Sequence, residues 1–378
     1  MGLILELDLT DGQQLLVDTS SRFVESKFPF TTVRERAGSG VEPGSAYTEQ
    51  AGELGWFAML VSEDLGGGAV SANPVADCAL IASVRGRVLQ PGSFVGTNVV
   101  AHALSAAGFA DQQSKVLPQL ISGAETATWA FAASGPDGSP TAGVRAVKRG
   151  DGWVLSGTKT LVQDADQASW ILVTAESEGG PVQFLIPAAT AGVAAQTAES
   201  LDLTRRFGRI TFEGAELPAS AVVGHTDGAA EMVERQVDLA AVLTAAESVG
   251  AMERDFEMAL QYAKDRTAFG RPIGSFQAIK HLLADTSLLL EMSKAMVDAA
   301  ARAVGTGSSD ASAVASMAKA FVADSGVELA QNCFQVFGGI GFTWEHDQHL
   351  YLRRLTTDAA LYGDPSWHRE RLCRLGGL

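Results

Sequence analysis

Cysteine is scarce in this chain of 378 residues and occurs only at Cys78, Cys333 and Cys373. Three widely spaced cysteines form neither a disulfide framework nor a CxxC metal motif, so we expect a reducing compartment and predict a cytoplasmic protein. Long apolar runs are absent as well. The N-terminal sequence MGLILELDLTDGQ lacks a basic leader, and no later run approaches the ~18 consecutive apolar residues that a transmembrane helix needs.

Basic residues are also few. The chain has 28 lysines and arginines against 44 aspartates and glutamates, which gives a formal net charge of −16. Nucleic acids and anionic membranes bind clustered basic residues, so neither is predicted as a partner. Any anionic ligand of this protein must be held by a local basic group.

The rest of the composition is that of a globular protein, since 46% of the residues are hydrophobic and the length suits two or three domains. Apolar residues recur with helical periodicity at both ends of the chain. Between them lie short β-branched segments such as GWVLSGTKTLV, SWILVTAE and GRITFEGAEL, bounded by glycine, aspartate or proline. We therefore predict an α+β protein with a helical domain at residues 1–123, a β domain at 124–226 and a helical bundle at 227–378.

The segment RTAFGRPIGSFQ, residues 266–277, interrupts the last helical block. Its glycines and proline break the helical period and predict a sharp turn between two helices. Arg266 and Phe269, one helical turn apart, and Gln277 just beyond the turn could then converge on one spot. A guanidinium fork suits a pyrophosphate, and an amide suits its oxygens or a ribose. The residues alone leave two interpretations open, a binding site or a helical hairpin with a solvated arginine and a core phenylalanine.

A polar cluster, TWEHDQH at residues 343–349, contains Glu345, His346, Asp347 and His349. Such side chains can ligate a metal, but structural zinc usually takes cysteine or histidine from separated segments. No complementary pair is visible elsewhere in the sequence. We therefore predict a solvated or intersubunit turn here and no metal site.

Several motifs together resemble one known family. RTAFGRPIGSFQ, followed by a long helical segment and then QVFGGIGFT at residues 335–343, resembles the C-terminal half of the acyl-CoA dehydrogenases. The likeness continues in SEDLGG at 62–67, GWVLSGTKT at 152–160 and Leu-Arg-Arg at 352–354, in the family's order and over nearly the whole chain. It implies an N-terminal helical domain, a middle β-barrel or sandwich domain and a C-terminal four-helix bundle.

Members of this family use FAD to oxidise an acyl-CoA to its trans-2-enoyl-CoA. A carboxylate removes the α proton while a hydride passes from the β carbon to the flavin. The family is typically tetrameric: one chain cradles the flavin ring, and its neighbour holds the ADP end of the cofactor. The resemblance thus implies two half-sites, a ring half and an ADP half, which can be checked separately.

The ADP half matches the family. The matching positions lie in two segments, residues 266–277 and 335–339, and the glycines of the second let a cofactor approach the backbone closely. The resemblance assigns FAD binding to Arg266, Phe269, Gln277, Gln335, Gly338 and Gly339.

The ring half departs from the family. Where the tryptophan of a WIT or WTS sequence usually packs on the flavin, GTKTLVQDA has Leu161, and the following polar position is Gln163. In the preceding loop, residues 133–135 are Ala-Ser-Gly in place of the usual Thr-Glu-Pro, although Ser139 still matches. These changes remove a stacking face and a hydroxyl donor to the ring.

The family's catalytic glutamate has no counterpart either. Its usual position falls on Tyr362, and the position that some relatives use falls on Ala240. A tyrosine with a pKa near ~10 is a poor base at neutral pH. Two carboxylates remain as alternatives: Glu247, whose pKa could be raised by burial in an apolar helix, and Asp364, two residues from the usual place.

These departures are typical of a subunit that completes another chain's active site. The segments GTKTLVQDA, GFTWEHDQHLYLRR and YGDPSWHRER are similar to β-type subunits of actinobacterial acyl-CoA dehydrogenases. Those subunits pair with a catalytic α subunit as α2β2 heterotetramers, several of which act on CoA thioesters of steroid side chains. The resemblance implies a catalytic partner, an acyl-CoA substrate in the complex and electron-transfer flavoprotein as the acceptor. Two alternatives stay open, a self-sufficient homotetramer that uses Glu247 or Asp364 and a scaffold without flavin.

Overall fold

The structure is a computed structural model that describes residues 9–39, 43–133 and 138–377. The interpretation of the extreme N-terminus as free of a leader concerns residues 1–8 and lies outside the described residues. The replacement of Thr-Glu-Pro is described only in part, because Ser134 and Gly135 also lie outside them.

Helices fill the N-terminal part of the chain, and local caps explain where two of them begin. Thr10 accepts a hydrogen bond from the Gln13 amide at 3.2 Å, while the Gln13 side chain accepts one from the Thr10 amide at 3.2 Å, which is a capping box. Asn73 caps the helix that starts at Pro74 through the Ala76 amide at 3.0 Å. The helices are α1 (Asp11–Lys27), α2 (Phe30–Arg36), α3 (Ser45–Glu53), α4 (Pro74–Arg87), α5 (Phe94–Ala107) and α6 (Leu117–Ile121).

The middle of the chain forms one eight-stranded sheet with its own apolar core. Seven strands follow the order β6-β7-β3-β2-β4-β5-β8, and β1 pairs in parallel with β4. The register between β3 and β7 shifts between Lys159 and Val162, and this bulge places Leu161 at a positive φ of 51°. The strands are β1 (Ala127–Ala130), β2 (Val144–Arg149), β3 (Gly152–Gln163), β4 (Trp170–Ser177), β5 (Gly180–Pro187), β6 (Val193–Ala198), β7 (Phe207–Leu217) and β8 (Val222–Val223).

Long helices return after the sheet and run back and forth. A two-stranded hairpin separates the first two of them, in the segment where the sequence predicts a turn. The elements are α7 (Ala229–Asp265), β9 (Thr267–Ala268), β10 (Arg271–Pro272), α8 (Gln277–Thr306), α9 (Ala311–Phe337), α10 (Gln348–Ala360) and α11 (Pro365–Leu375). The predicted α+β class, with helices, then a sheet, then helices, is confirmed. In the described part of the chain no helix is long and apolar enough to cross a membrane.

Helix α4 crosses α7 at a distance that only glycine allows. A Cβ on Gly86 would lie 1.9 Å from the Glu247 carbonyl oxygen, and a Cβ on Gly250 would lie 2.0 Å from the Ser83 carbonyl oxygen. The two backbones are therefore in contact. This crossing makes the N-terminal helices and the C-terminal helices parts of one apolar core.

A buried ion network joins all three regions. Arg354 on α10 is fully buried, and its guanidinium donates to Asp202 at 2.6 Å and to Glu247 at 3.2 Å. The same group donates to the Leu89 carbonyl oxygen at 3.0 Å, just after α4. Arg205, before β7, pairs with the second oxygen of Glu247 at 2.5 Å. One cluster of opposite charges thus ties the turn after α4 and the segment before β7 to α7 and α10.

A second buried contact joins α7 to α10 without a cation. The Gln348 amide donates to Asp255 Oδ2 at 2.9 Å, whereas Asp255 Oδ1 and Gln348 Oε1 have no hydrogen-bond partner among the described residues. Burial raises the pKa of Asp255 well above its ordinary value. The folded protein therefore keeps this proton at pH values where the unfolded chain has lost it.

Replacing Arg354 by methionine tests the ion network. The change leaves Asp202 and Glu247 buried with one cation fewer, so we expect the free energy of unfolding to fall by about 3–5 kcal/mol, as when one side of a buried pair is removed. Urea unfolding followed by circular dichroism measures the loss.

The matched control is Arg369→Met, because Arg369 pairs with Asp324 on the surface, where the two side chains are 58% and 54% exposed. An exposed pair contributes about 0–1 kcal/mol. Equal losses in the two variants would contradict the structural role assigned to Arg354.

Asp255→Asn is expected to stabilise the protein. The new amide offers an acceptor to the Gln348 NH₂ group and a donor to its free oxygen. In the wild type, folding retains a proton between the ordinary pKa near ~3.9 and the raised native value, so stability falls as pH rises through that window. The variant lacks this loss, and its Tm advantage should grow from pH ~5 to pH ~8. Calorimetry at both values checks this, and an advantage that shrinks with rising pH would refute it.

Candidate cofactor-binding site

The segment between α7 and α8 folds as a tight hairpin rather than as a helical turn. The Arg266 amide caps α7 by donating to the Tyr262 carbonyl at 2.8 Å, and the Arg266 carbonyl accepts from the Ile273 amide at 2.8 Å. Phe269 follows at a positive φ of 53° and Gly270 at 78°. The prediction that Arg266 and Phe269 lie one helical turn apart is therefore wrong, because α7 already ends at Asp265.

The hairpin presents its side chains to solvent. Phe269 is 95% exposed, and Arg266 and Gln277 are exposed too, Gln277 as the first residue of α8. Phe276 stiffens the base of the hairpin, since its ring lies 4.1 Å from the Arg271 guanidinium and 6.2 Å from the Phe269 ring. The alternative of a core phenylalanine is wrong for Phe269, whose ring has no core contact.

The second predicted segment lies at the same end of the helical bundle. The Tyr262 ring, in the last turn of α7, lies 5.1 Å from the Phe337 ring at the end of α9. Gln335 is exposed in that last turn of α9. A Cβ on Gly338 or Gly339 would meet no atom within 4 Å, and Gly338 has φ 63° and ψ −140°, a combination open essentially to glycine alone. A side chain at either glycine would therefore point into space that no described residue of the chain fills.

This end of the bundle also exposes large apolar side chains. We call it the exposed end, and it comprises residues 266–277 and 335–344. Phe269, Ile340, Phe342 and Trp344 are 95%, 45%, 78% and 54% exposed. Monomeric proteins rarely leave so many large apolar groups in water close together unless a ligand or another chain covers them. The exposed end therefore combines an arginine, an amide, open glycine backbone and apolar faces.

On the ring side, the chain offers little to a flavin. Leu161, on the bulge of β3, is 39% exposed and has no aromatic face. The amide of Gln163 donates to the Gly92 carbonyl at 2.8 Å, which occupies it within the chain. The Ser139 hydroxyl lies 3.0 Å from the Thr141 hydroxyl.

Sequence reasoning missed an aromatic cluster at the position of the family's base. The Tyr362 ring stacks on Trp129 with centroids 5.8 Å apart and planes at 17°, and it lies 5.8 Å from the Phe131 ring. Trp367 lies 6.1 Å from Phe131 on the other side. Tyr362 is 6% exposed and has a positive φ of 54°. Burial raises the pKa of its phenol further above the ordinary value, so it is no base at neutral pH. The aromatic-rich segments TWAF and LYGDPSWH are the sequence features that could have indicated this cluster.

Neither alternative carboxylate has the environment that a base needs. Burial alone would raise the pKa of Glu247, but the guanidinium groups of Arg205 and Arg354 outweigh it and hold this pKa below its ordinary value. The expectation of a raised pKa at Glu247 is thus wrong. Asp364 is exposed and caps α11 by accepting from the Trp367 amide at 2.8 Å.

The polar turn at residues 343–349 makes contacts within its own chain. The Arg34 guanidinium pairs with Asp347 at 3.0 Å and lies 5.0 Å from the Trp344 ring, which stacks on His349. Glu345 is exposed. Over the described ranges, no three histidine, cysteine, aspartate or glutamate side chains lie close enough together to hold a metal ion.

A cavity of about 850 Å³ lies between the end of α5, the start of α7 and the α8–α9 turn. Its wall carries three acids of α7, Glu231, Glu234 and Asp238, with Arg235 among them. Arg371 pairs with Glu234 at 2.5 Å and with Asp238 at 2.8 Å, so two of the three acids have a cation beside them.

Comparisons with known proteins identify the family. Residues 10–124 match the family described as acyl-CoA dehydrogenase, N-terminal domain, and residues 227–374 match acyl-CoA dehydrogenase, C-terminal domain. Acyl-CoA dehydrogenase IpdE2 of Mycobacterium tuberculosis is 32% identical over 331 residues, which cover 85% of this chain and 83% of IpdE2. The chain therefore belongs to the acyl-CoA dehydrogenase family, a family of FAD-binding oxidoreductases.

Solved structures share the fold over nearly the full length. The ChsE4–ChsE5 complex from Mycobacterium tuberculosis has a TM-score of 0.87 and 25% identity over 98% of each chain. The Tcur3481–Tcur3483 steroid ACAD has a TM-score of 0.86 and 24% identity over 97% of each chain. The fold that the sequence resemblance implied is confirmed.

The aromatic cluster should contribute to stability through the Tyr362 ring and not through its hydroxyl. Tyr362→Ala removes a ring packed between Trp129 and Phe131, and large-to-small core changes of this size cost about 3–5 kcal/mol. Urea unfolding followed by circular dichroism measures the loss.

Tyr362→Phe is the matched control, because none of the described residues makes a hydrogen bond to the phenol oxygen. We expect its stability to stay within about 0.5 kcal/mol of the wild type. A loss in the phenylalanine variant as large as in the alanine variant would show that the ring stack is not what stabilises this region.

Proposed function

We propose that this chain is the non-catalytic subunit of an FAD-dependent acyl-CoA dehydrogenase. It supplies the ADP-side half of the FAD site to a catalytic partner chain, in an α2β2 heterotetramer. The observation that carries the proposal is the contrast between an open, cation-bearing exposed end and a ring side where Leu161 replaces the family's stacking tryptophan and the buried Tyr362 replaces its base.

The ADP half fits the group it would hold. Arg266 can form two parallel hydrogen bonds to a pyrophosphate, and the Gln277 amide can reach its oxygens or a ribose. Phe269 offers an apolar face to the adenosine, while Gly338 and Gly339 let the cofactor lie against the backbone. Among the described residues, the side chains of Arg266 and Gln277 make no hydrogen bond or ion pair, which is what a site completed by a neighbour requires.

The ring half does not fit a flavin in the same chain. The family's stacking tryptophan is replaced by Leu161, and the side chain of Gln163 is bonded to Gly92. Tyr362 occupies the base position and packs on Trp129. The flavin ring therefore lies in the partner, and so does the carboxylate that removes the α proton.

In this assignment, bound FAD would supply the hydride acceptor for the oxidation of an acyl-CoA to its trans-2-enoyl-CoA. This chain's part would be to bind and orient the cofactor, with electron-transfer flavoprotein as the acceptor of its electrons. The names of similar proteins, a ChsE4–ChsE5 complex and a steroid ACAD, support two unlike chains and a steroid side-chain CoA thioester as the substrate.

Arg266→Ala tests the ADP half in the complex with its catalytic partner. Loss of a charge-assisted hydrogen bond costs about 1.5–3 kcal/mol, so we expect FAD to bind about 10- to 150-fold more weakly. The chain's own Tm should not change, because the Arg266 side chain is exposed. Flavin absorbance per complex during dialysis measures retention, and native mass spectrometry checks assembly.

Arg22→Ala, an exposed arginine of α1, is the matched control and should retain FAD like the wild type. Unchanged FAD retention in Arg266→Ala would favour a flavin-free scaffold. A self-sufficient enzyme would instead lose turnover in Asp364→Asn. That substitution is suited to this test because asparagine caps a helix about as well as aspartate, so any lost activity would come from the carboxylate.

A further inference from the structure

A small cavity adjoins the ring half, because the Gln163 side chain bonds to two of the residues that line it, Gly92 and Asp164. It has a volume of about 220 Å³ and is bounded by the start of α3, the loop before α5 and the segment after β3. None of the six residues assigned to FAD lines it, nor does any member of the aromatic cluster. Its volume is below the ~300–1,000 Å³ typical of sites for drug-sized molecules, so it suits a small metabolite.

One wall carries a buried carboxylate without a cation. Asp164 is 7% exposed and lines the cavity. Its Oδ2 accepts a 3.3 Å hydrogen bond from the neighbouring Gln163 amide, and no donor among the described residues reaches its Oδ1. Burial raises the pKa of Asp164 to about 6. Its backbone has a positive φ of 51°, which is uncommon outside glycine. A carboxylate held this way is complementary to an ammonium group.

The other wall is the N-terminus of a helix. Helix α3 begins at Ser45 after Gly44, and no side chain caps it. Gly44, Ser45 and Thr48 line the cavity. The amides of Tyr47 and Thr48 bond to the Gly44 carbonyl, whereas those of Ser45 and Ala46 have no partner among the described residues. Free amides at a helix N-terminus are complementary to a carboxylate or another anion.

We propose that this cavity binds a small zwitterion, a free α-amino acid, with its ammonium on Asp164 and its carboxylate at the N-terminus of α3. A ligand with one charge of each sign satisfies both walls. A lone anion would be repelled by Asp164. A lone cation would be repelled by the helix N-terminus and by Arg85 and Arg205, whose charges act on Asp164. The hydroxyls of Thr126 and Ser169 remain for the ligand's polar edge.

The test is titration of L-alanine into the wild type and into Asp164→Ala and Asp164→Asn, by calorimetry or saturation-transfer NMR. The purified chain is used, because all the residues that line the cavity belong to it. We expect saturable binding to the wild type and at least a tenfold loss in both variants. Asp151→Asn is the matched control, since Asp151 is exposed and does not line the cavity. It should bind like the wild type. The Tm of each variant is measured as well. A variant that loses binding but keeps the wild-type Tm has lost the site and not the fold.

Fragments of the ligand decide between this proposal and simpler ones. Acetate that binds as tightly as alanine, and equally in Asp164→Ala, would mean an anion at the helix terminus alone. Methylammonium or sodium that binds as tightly as alanine would mean a cation site. Either result would overturn the proposal, as would a Kd for alanine weaker than ~10 mM, about −2.7 kcal/mol.

Discussion

The buried pairing of Arg354 and Arg205 with Glu247 and Asp202 is the contact on which the rest of the structure depends. Arg205 also pairs with Asp358 of α10 at 2.5 Å. Charges taken out of water are stable only when each has a partner and good geometry, so the segment before β7, α7 and α10 have to meet in one arrangement. The crossing of α4 on α7, allowed by Gly86 and Gly250, then fixes the N-terminal helices against the same core.

This network also limits what the chain can do chemically. It holds Glu247 between two arginines, which keeps the carboxylate ionised and occupied. The turn after α10 carries Tyr362 into an aromatic stack with Trp129. The position where a dehydrogenase of this family would place its base is therefore taken by a buried aromatic side chain, whereas the exposed end around Arg266 is left open. A division of labour between two unlike chains accounts for both.

Much of the fold could be predicted from local signals. Short segments are enough to indicate the capping box at Thr10, the alternation of apolar and polar residues in β2 and β3, and the helical periodicity of α7 and α8. The pKa of Glu247 was not predictable in this way, because one of the two arginines that pair with it, Arg354, is 107 residues away. The stack of Tyr362 on Trp129 likewise joins distant segments. The FAD-binding residues assigned at the exposed end remain predictions. They are expected to act on a cofactor that is shared with a second chain, and local signals within one sequence do not describe that chain.

The most direct measurement is the flavin content and native mass of the chain purified alone and co-expressed with the acyl-CoA dehydrogenase encoded nearest to it. The account predicts a colourless chain on its own. In the complex it predicts about one FAD for each pair of unlike chains in a symmetric heterotetramer. One FAD per chain in a homotetramer formed by this protein alone would contradict it.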